Sequence, residues 1–197
     1  MLDVKQAPIE EITPTGIRTT DGEYELDVIV FATGYDGMTG SLFKMDIRGR
    51  DGVSLKEKWE NGAATRTYLG MTTAGFPNMF MITGPESPSV LGNMPITIEQ
   101  HVEWIADCIQ YLRKHEVDVI EAKPEAEAEW SKHCRDLADT TLYTKAESWY
   151  TGANIAGKAR GFQIYVGGYA PYHQKCAEIA KNGYEGFTLK TAQKSLH

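Results

Sequence analysis

The residues from Val28 to Asp36 read VIVFATGYD: five apolar side chains in unbroken succession, then Thr33, Gly34, an aromatic residue and an acid. A strand with one wet face alternates apolar and polar residues. An uninterrupted Val/Ile/Phe run instead fits a strand covered on both faces, as in a parallel α/β sheet. Asn78 to Gly84, NMFMITG, is a second run of this kind and also ends in glycine. In open parallel sheets, ligands gather beyond the carboxyl ends of the strands, where loops converge and helix N-termini present free N–H groups. A missing side chain at Gly34 or Gly84 lets the backbone approach a flat ring or a phosphate, or simply permits a tight turn. No G-x-G-x-x-G phosphate loop accompanies either run in the 197 residues.

Around these runs the pattern changes. Between Ala7 and Leu26, short apolar pieces broken by TPTG and by Asp21-Gly22 predict a small β-meander with a hairpin turn at the Asp-Gly pair. Ile98, Val102, Ile105, Ile109 and Leu112 recur at helical spacing and predict an amphipathic helix over 96–114, started by Pro95. After the solvated stretch EAKPEAEAE, a second helix buries Ala126, Trp130, Cys134 and Leu137. Trp149 to Gly168, rich in glycine and aromatics, reads as an ordered loop region, and a last helix runs from Tyr172 to Lys181 and stops at Asn182-Gly183.

Formal charge is −7 with acids and bases scattered, so there is no basic stripe to meet a nucleic acid. Cys108, Cys134 and Cys176 are odd in number and lack C-x-x-C spacing, which argues against a disulfide framework or a zinc ribbon and suits free thiols in the cytoplasm. No apolar run approaches the ~18 residues of a membrane span, and the first ten residues do not read as a signal segment. Gly152 to Ala159, GANIAGKA, nearly matches a phosphate-cradling loop. Ala159 lacks the hydroxyl that magnesium needs, and no buried strand precedes it. His101, His133 and His173 lie on separate predicted elements without the roughly four convergent ligands of a zinc site, and read as core or surface histidines.

FATGYD resembles the segment that follows the nucleotide-binding portion of flavin-containing and Baeyer–Villiger monooxygenases. GPESPSVLGNMPITIEQHVEWI and ESWYTGANIAGKARGFQIYVGGY are similar to the C-terminal part of the type I Baeyer–Villiger enzymes, most of all the phenylacetone and steroid monooxygenase branch. The three blocks stand in family order over nearly the whole chain. The resemblance implies an α/β protein, the C-terminal portion of a flavoprotein with Rossmann-like FAD and NADP domains. Residues 1–84 would end the NADP-binding domain and return into the FAD-binding domain, and 85–197 would complete the latter.

The same resemblance implies roles. Thr33, Gly34, Tyr35 and Asp36 face the cofactors at the domain junction, and the glycine loops belong to a preceding part of the enzyme. Ser89, Val90 and Leu91 line the ketone pocket, Asn93 and Met94 lie near the flavin with Met94 also toward substrate, and Gln163 lies near the substrate pocket. Trp149 covers NADPH from a mobile loop, with an indole face and one N–H donor. Lys158 and Arg160 read as solvated surface charges, with holding the loop or the negatively charged cofactor as the alternative. Glu86, where the family usually has glycine, reads as pointing to solvent, and Gly92 as loosening the loop. FAD and NADPH are the implied cofactors, a ketone and O2 the partners, and the reaction inserts one oxygen beside the carbonyl to give an ester or lactone. No catalytic or metal-binding residue is assigned here. The chain alone is expected to be inactive; the rival reading is a non-catalytic module that binds or self-associates.

Overall fold

The computed structural model describes residues 3–32, 34–88, 91–153 and 155–191. They fall into two compact units, Met1–Tyr35 and Asp36–His197.

The first unit is the expected meander. Strands β1 (Ile9–Thr13), β2 (Gly16–Thr19) and β3 (Gly22–Glu25) pair antiparallel in that order. Thr19 pairs with Gly22, so the turn residues are Thr20 and Asp21, and Gly22 opens β3 instead of occupying the turn. Val28 to Ala32 forms no strand, and Val28, Val30 and Phe31 are 74%, 80% and 72% exposed. A strand exists only as a member of a ladder, and no described residue pairs with this run.

The second unit has a helical core and a long irregular segment. Helices α1 (Gly40–Lys44) and α2 (Leu55–Lys58) are short. Helix α3 spans Met94–Lys114, α4 Pro124–Asp139 and α5 Tyr169–Lys181. Strands β4 (Val119–Ala122) and β5 (Phe187–Lys190) form an antiparallel pair that joins distant parts of the chain. The sequence reading missed this pair, because four-residue strands carry little periodic signal. The helices and sheets bear out the α/β class, although both sheets are antiparallel.

Three features depart from expectation. Asn78 to Gly84 is not a strand. Asn78 and Thr83 adopt positive φ (58° and 51°), which interrupts an extended course at both ends, and Asn78 is spent on the flank of β4 through bonds with Ile120 and Asp118. The buried face of α3 carries Thr97, Gln100, His101, Trp104 and Cys108, one residue behind the predicted stripe. Ile98, Val102 and Ile109 are exposed, and Ile105 and Leu112 are only partly buried. Trp104 and His101 decide that rotation, since the indole donates to the Cys176 carbonyl (2.9 Å) and the imidazole accepts from the Thr83 N–H (2.9 Å). Finally, the acidic stretch read as solvated opens α4 with Pro124 and buries Glu127.

Glu127 ties the irregular segment to the core. Its carboxylate accepts from the Thr73 hydroxyl (2.6 Å), the Ala74 N–H (2.8 Å) and Lys58 Nζ (2.9 Å). The main core packs Trp104, Trp130, Tyr165, Tyr172, Ile179 and Phe187, while Leu55, Trp59, Phe76 and Met81 form a second cluster. Glu127→Ala strands Lys58 and the Ala74 N–H without their partner, and the expected loss is about 3 kcal/mol, read from the urea midpoint. Lys132→Ala, which removes the exposed pair with Asp136, is expected to cost less than about 0.5 kcal/mol in the same measurement.

Candidate functional site

Alpha helix α1, the 79–84 stretch and the start of α3 enclose a hollow of about 670 Å³. Met38, Met45, Met79, Met81 and Met94 line it together with Leu42, Ile82, Thr83, Gly84 and Trp149. Thioether side chains are unbranched and polarisable, so such a wall adapts to a flat or irregular apolar guest. The clustering of methionines was not anticipated, because they come from three separate segments.

Two loops meet at the edge of the hollow. The Trp149 indole, 37% exposed, packs against Gly37, where an added Cβ would stand 3.0 Å from the ring. Lys158 is not a solvated charge: its side chain is only 9% exposed, and Nζ bonds the Asp36 carboxylate and the Gly37 carbonyl. The pair closes the 149–158 loop onto the start of the unit. Gly84 makes a close backbone contact, since a Cβ there would stand 2.6 Å from the Gly70 carbonyl oxygen.

The structure brings Asp36, Met94 and Trp149 together around this one region. Gly34 and Tyr35 belong to the first unit; Gly34 has φ +70°, and Tyr35 is 92% exposed. Asn93 precedes α3 and makes no side-chain capping bond, while Leu91 is half-exposed. Thr33, Ser89 and Val90 lie outside the described residues. Gln163 does not line the hollow. Its amide is buried and donates to the Gly62 carbonyl (3.3 Å) and the Thr65 hydroxyl (3.0 Å), so it braces two backbone segments.

The other titratable groups are inward-facing. His101 accepts the Thr83 N–H on Nδ1, and its Nε2 stands 2.6 Å from the Tyr172 hydroxyl, which donates to the Leu69 carbonyl (2.6 Å). This chain of bonds requires a neutral ring with its proton on Nε2. Burial agrees, pushing the ring down to about 4. It is a satisfied core histidine, and it holds a residue of the hollow's wall. Cys108, Cys134 and Cys176 are free and buried, and burial pushes all three thiols upward, which leaves them unsuited to nucleophilic work. No cluster of potential metal ligands occurs among the described residues, and no described helix is long and apolar enough to cross a membrane.

An apolar wall with a half-exposed indole fits the ring end of a dinucleotide cofactor. It does not fit the pyrophosphate, since the lysine at its edge is already committed to Asp36.

No protein-family model matches the chain. A Baeyer–Villiger monooxygenase of Pseudooceanicola batsensis is 44% identical over 196 residues, which are 98% of this chain and 35% of that protein. The structure of an oxidised steroid monooxygenase bound to NADP superposes with a TM-score of 0.84 at 48% identity, over 95% of this chain and 35% of its own. The structure of OTEMO in complex with FAD and NADP gives a TM-score of 0.87 at 36% identity, over 96% and 34%. The family resemblance read from the sequence is borne out, and the chain spans about a third of the length of these relatives.

Two outcomes are expected. Lys158→Met frees the loop, so amide hydrogen exchange over residues 149–153 accelerates about tenfold while the core helices stay protected. For His101, the folded ring gives up its proton at about 4 against 6.5 in the unfolded chain. Its contribution is therefore complete above pH 6.5 and is lost as pH falls through 4. The melting temperature of the wild type falls more steeply over that window than that of His101→Gln.

Proposed function

We propose that this chain, which belongs along its own length with the Baeyer–Villiger monooxygenases, forms part of the cofactor and ketone site of a longer FAD- and NADPH-dependent enzyme. The observation that carries the reading is the methionine-lined hollow with Trp149 held at its edge by the Lys158–Asp36 pair. Bound FAD, reduced by NADPH, supplies the chemistry that inserts one atom of O2 beside a ketone carbonyl to give an ester or lactone.

The chain's own residues bind, orient and exclude water. Trp149 offers a flat face and one N–H donor to NADPH, and Asp36 fixes the loop that carries it. Thr33, Gly34 and Tyr35 contribute at the junction with a nucleotide-binding portion of the longer enzyme, Asn93 and Met94 stand near the flavin, and Ser89, Val90, Leu91 and Met94 face the ketone. The thioether wall would keep water away from a ketone seated in the hollow. Gln163 contributes through the backbone it braces. Buried free thiols suit a cytoplasmic enzyme.

A second reading, a self-associating module without catalysis, is favoured by the exposed Val28, Val30 and Phe31. Sedimentation of the purified chain separates the two: a monomer whose monooxygenase activity appears only within a longer polypeptide supports the enzyme, and a stable oligomer with no such parent supports the module.

The isolated chain is expected not to retain FAD, since it lacks a pyrophosphate cradle; flavin absorbance persisting at one equivalent after desalting contradicts this. In the full-length enzyme, Trp149→Ala is expected to raise KM for NADPH about tenfold, corresponding to ~1.4 kcal/mol, and to release more hydrogen peroxide per NADPH consumed. Unchanged KM and coupling would reduce Trp149 to a packing residue.

A further inference from the structure

Glu86 is 3% exposed, although it sits in a turn and adopts φ +64°, a conformation that favours glycine. Its carboxylate forms no salt bridge among the described residues. Three donors instead converge on one oxygen, Oε2: the Thr67 N–H (2.8 Å), the Thr67 hydroxyl (3.0 Å) and the Ser131 hydroxyl of α4 (2.8 Å). The backbone of Glu86 is equally engaged, donating to the Gln163 carbonyl (2.8 Å) and accepting from the Trp130 indole (3.2 Å).

Thr67 makes this arrangement ambivalent. Its hydroxyl has one proton but stands near two acceptors, Glu86 Oε2 and the buried Pro85 carbonyl (2.9 Å). With Glu86 ionised, the hydroxyl turns to the carboxylate and the Pro85 carbonyl loses that donor. With Glu86 protonated, the carboxyl donates to the Thr67 or Ser131 oxygen and the Thr67 hydroxyl turns to Pro85. The two states differ in which acceptor the Thr67 hydroxyl serves, and so at the Pro85 carbonyl, which follows Gly84 in the wall of the hollow.

The geometry points to Glu86 as a proton-operated positioning residue: its buried carboxyl latches the 84–88 turn to Thr67 and α4 in one of two hydrogen-bond patterns, so that the setting of the turn follows pH. The charged and titratable groups on the surrounding elements include Arg135, Cys134 and His133 on α4, the last packed on Trp130 and Tyr165, as well as Tyr165 beside Gln163, and Arg66 and Tyr68 flanking Thr67. Burial holds Cys134, Tyr165 and Tyr68 protonated. Burial also pushes Glu86 up to about 7, against the opposing pull of its hydrogen bonds and of Arg135, which places the exchange between patterns near neutrality. The folded value lies above the ordinary 4.5, so the stability contributed by the protonated state is complete below 4.5 and is lost as pH rises through 7.

The test is a pH titration of the whole chain by amide NMR. Expected is a midpoint near 7 at the Thr67 amide, shared by the amides of Gly84, Glu86 and Ser87, and its disappearance in Glu86→Gln. Ser131→Ala, which removes a donor to the ionised form and leaves Glu86 in place, is expected to move the midpoint upward. Over pH 5 to 7 the unfolding equilibrium of the wild type should rise relative to Glu86→Gln, by up to about tenfold per pH unit. The inference is overturned by a midpoint in the ordinary carboxylate range, by a titration that survives Glu86→Gln, by a midpoint that Ser131→Ala leaves in place, or by a Thr67 titration that the amides of Gly84, Glu86 and Ser87 do not share. None of these measurements needs a cofactor, so failure here leaves the proposed function standing.

Discussion

Inward-facing carboxylates hold the second unit together. From Asp36 to Pro88 the chain has two short α-helices and two single 3-10 turns, so most of its N–H and carbonyl groups lack a ladder or a long helix to satisfy them. Glu127 on α4 takes the Ala74 N–H and the Thr73 hydroxyl; Glu121 on β4 takes the Gly75 N–H (3.0 Å) and pairs with Arg50 through two guanidinium bonds; Glu86 takes the Thr67 N–H. The Arg50 guanidinium holds Glu121 below the usual carboxylate range. One ionised or shared carboxyl answers several donors at once, which a hydroxyl or amide of the same size cannot do.

The helical core sets where those carboxylates stand. Trp130 stacks on Tyr165 with ring centres 5.3 Å apart, and Tyr172 lies against both. This aromatic layer fixes the rotation of α4, so that Glu127 and Ser131 point to the irregular segment. The His101–Tyr172 contact does the same for α3 and, through Thr83, for one wall of the hollow. The site thus inherits its precision from packing two layers away, which is how a loop-built pocket acquires a defined shape.

Long-range bonds of this kind are poorly legible in a sequence. Lys158 and Asp36 stand far apart in the chain and each looks like a surface charge; only the folded loop shows that they form a pair in which the lysine is nearly buried. Glu86 looks misplaced in a turn until its three donors are known. The stripe on α3 was misread by one residue because Ile and Val outscore His and Gln on any hydropathy scale, yet the inward face was chosen by hydrogen bonds to His101 and by the bulk of Trp104.

The sequence by itself determined the meander, the three long helices, the loop nature of the Trp149 region and, through three ordered blocks, the family resemblance. These depend on local turn chemistry, on periodicity and on inherited motif order, all of which are properties of neighbouring residues. Tertiary structure alone decided which face of α3 is buried, that Val28 to Ala32 stays unpaired within the described chain, that five methionines share one hollow, and that Glu86 turns inward. Each of those outcomes is set by what a side chain finds across space, and neither spacing nor composition carries that information.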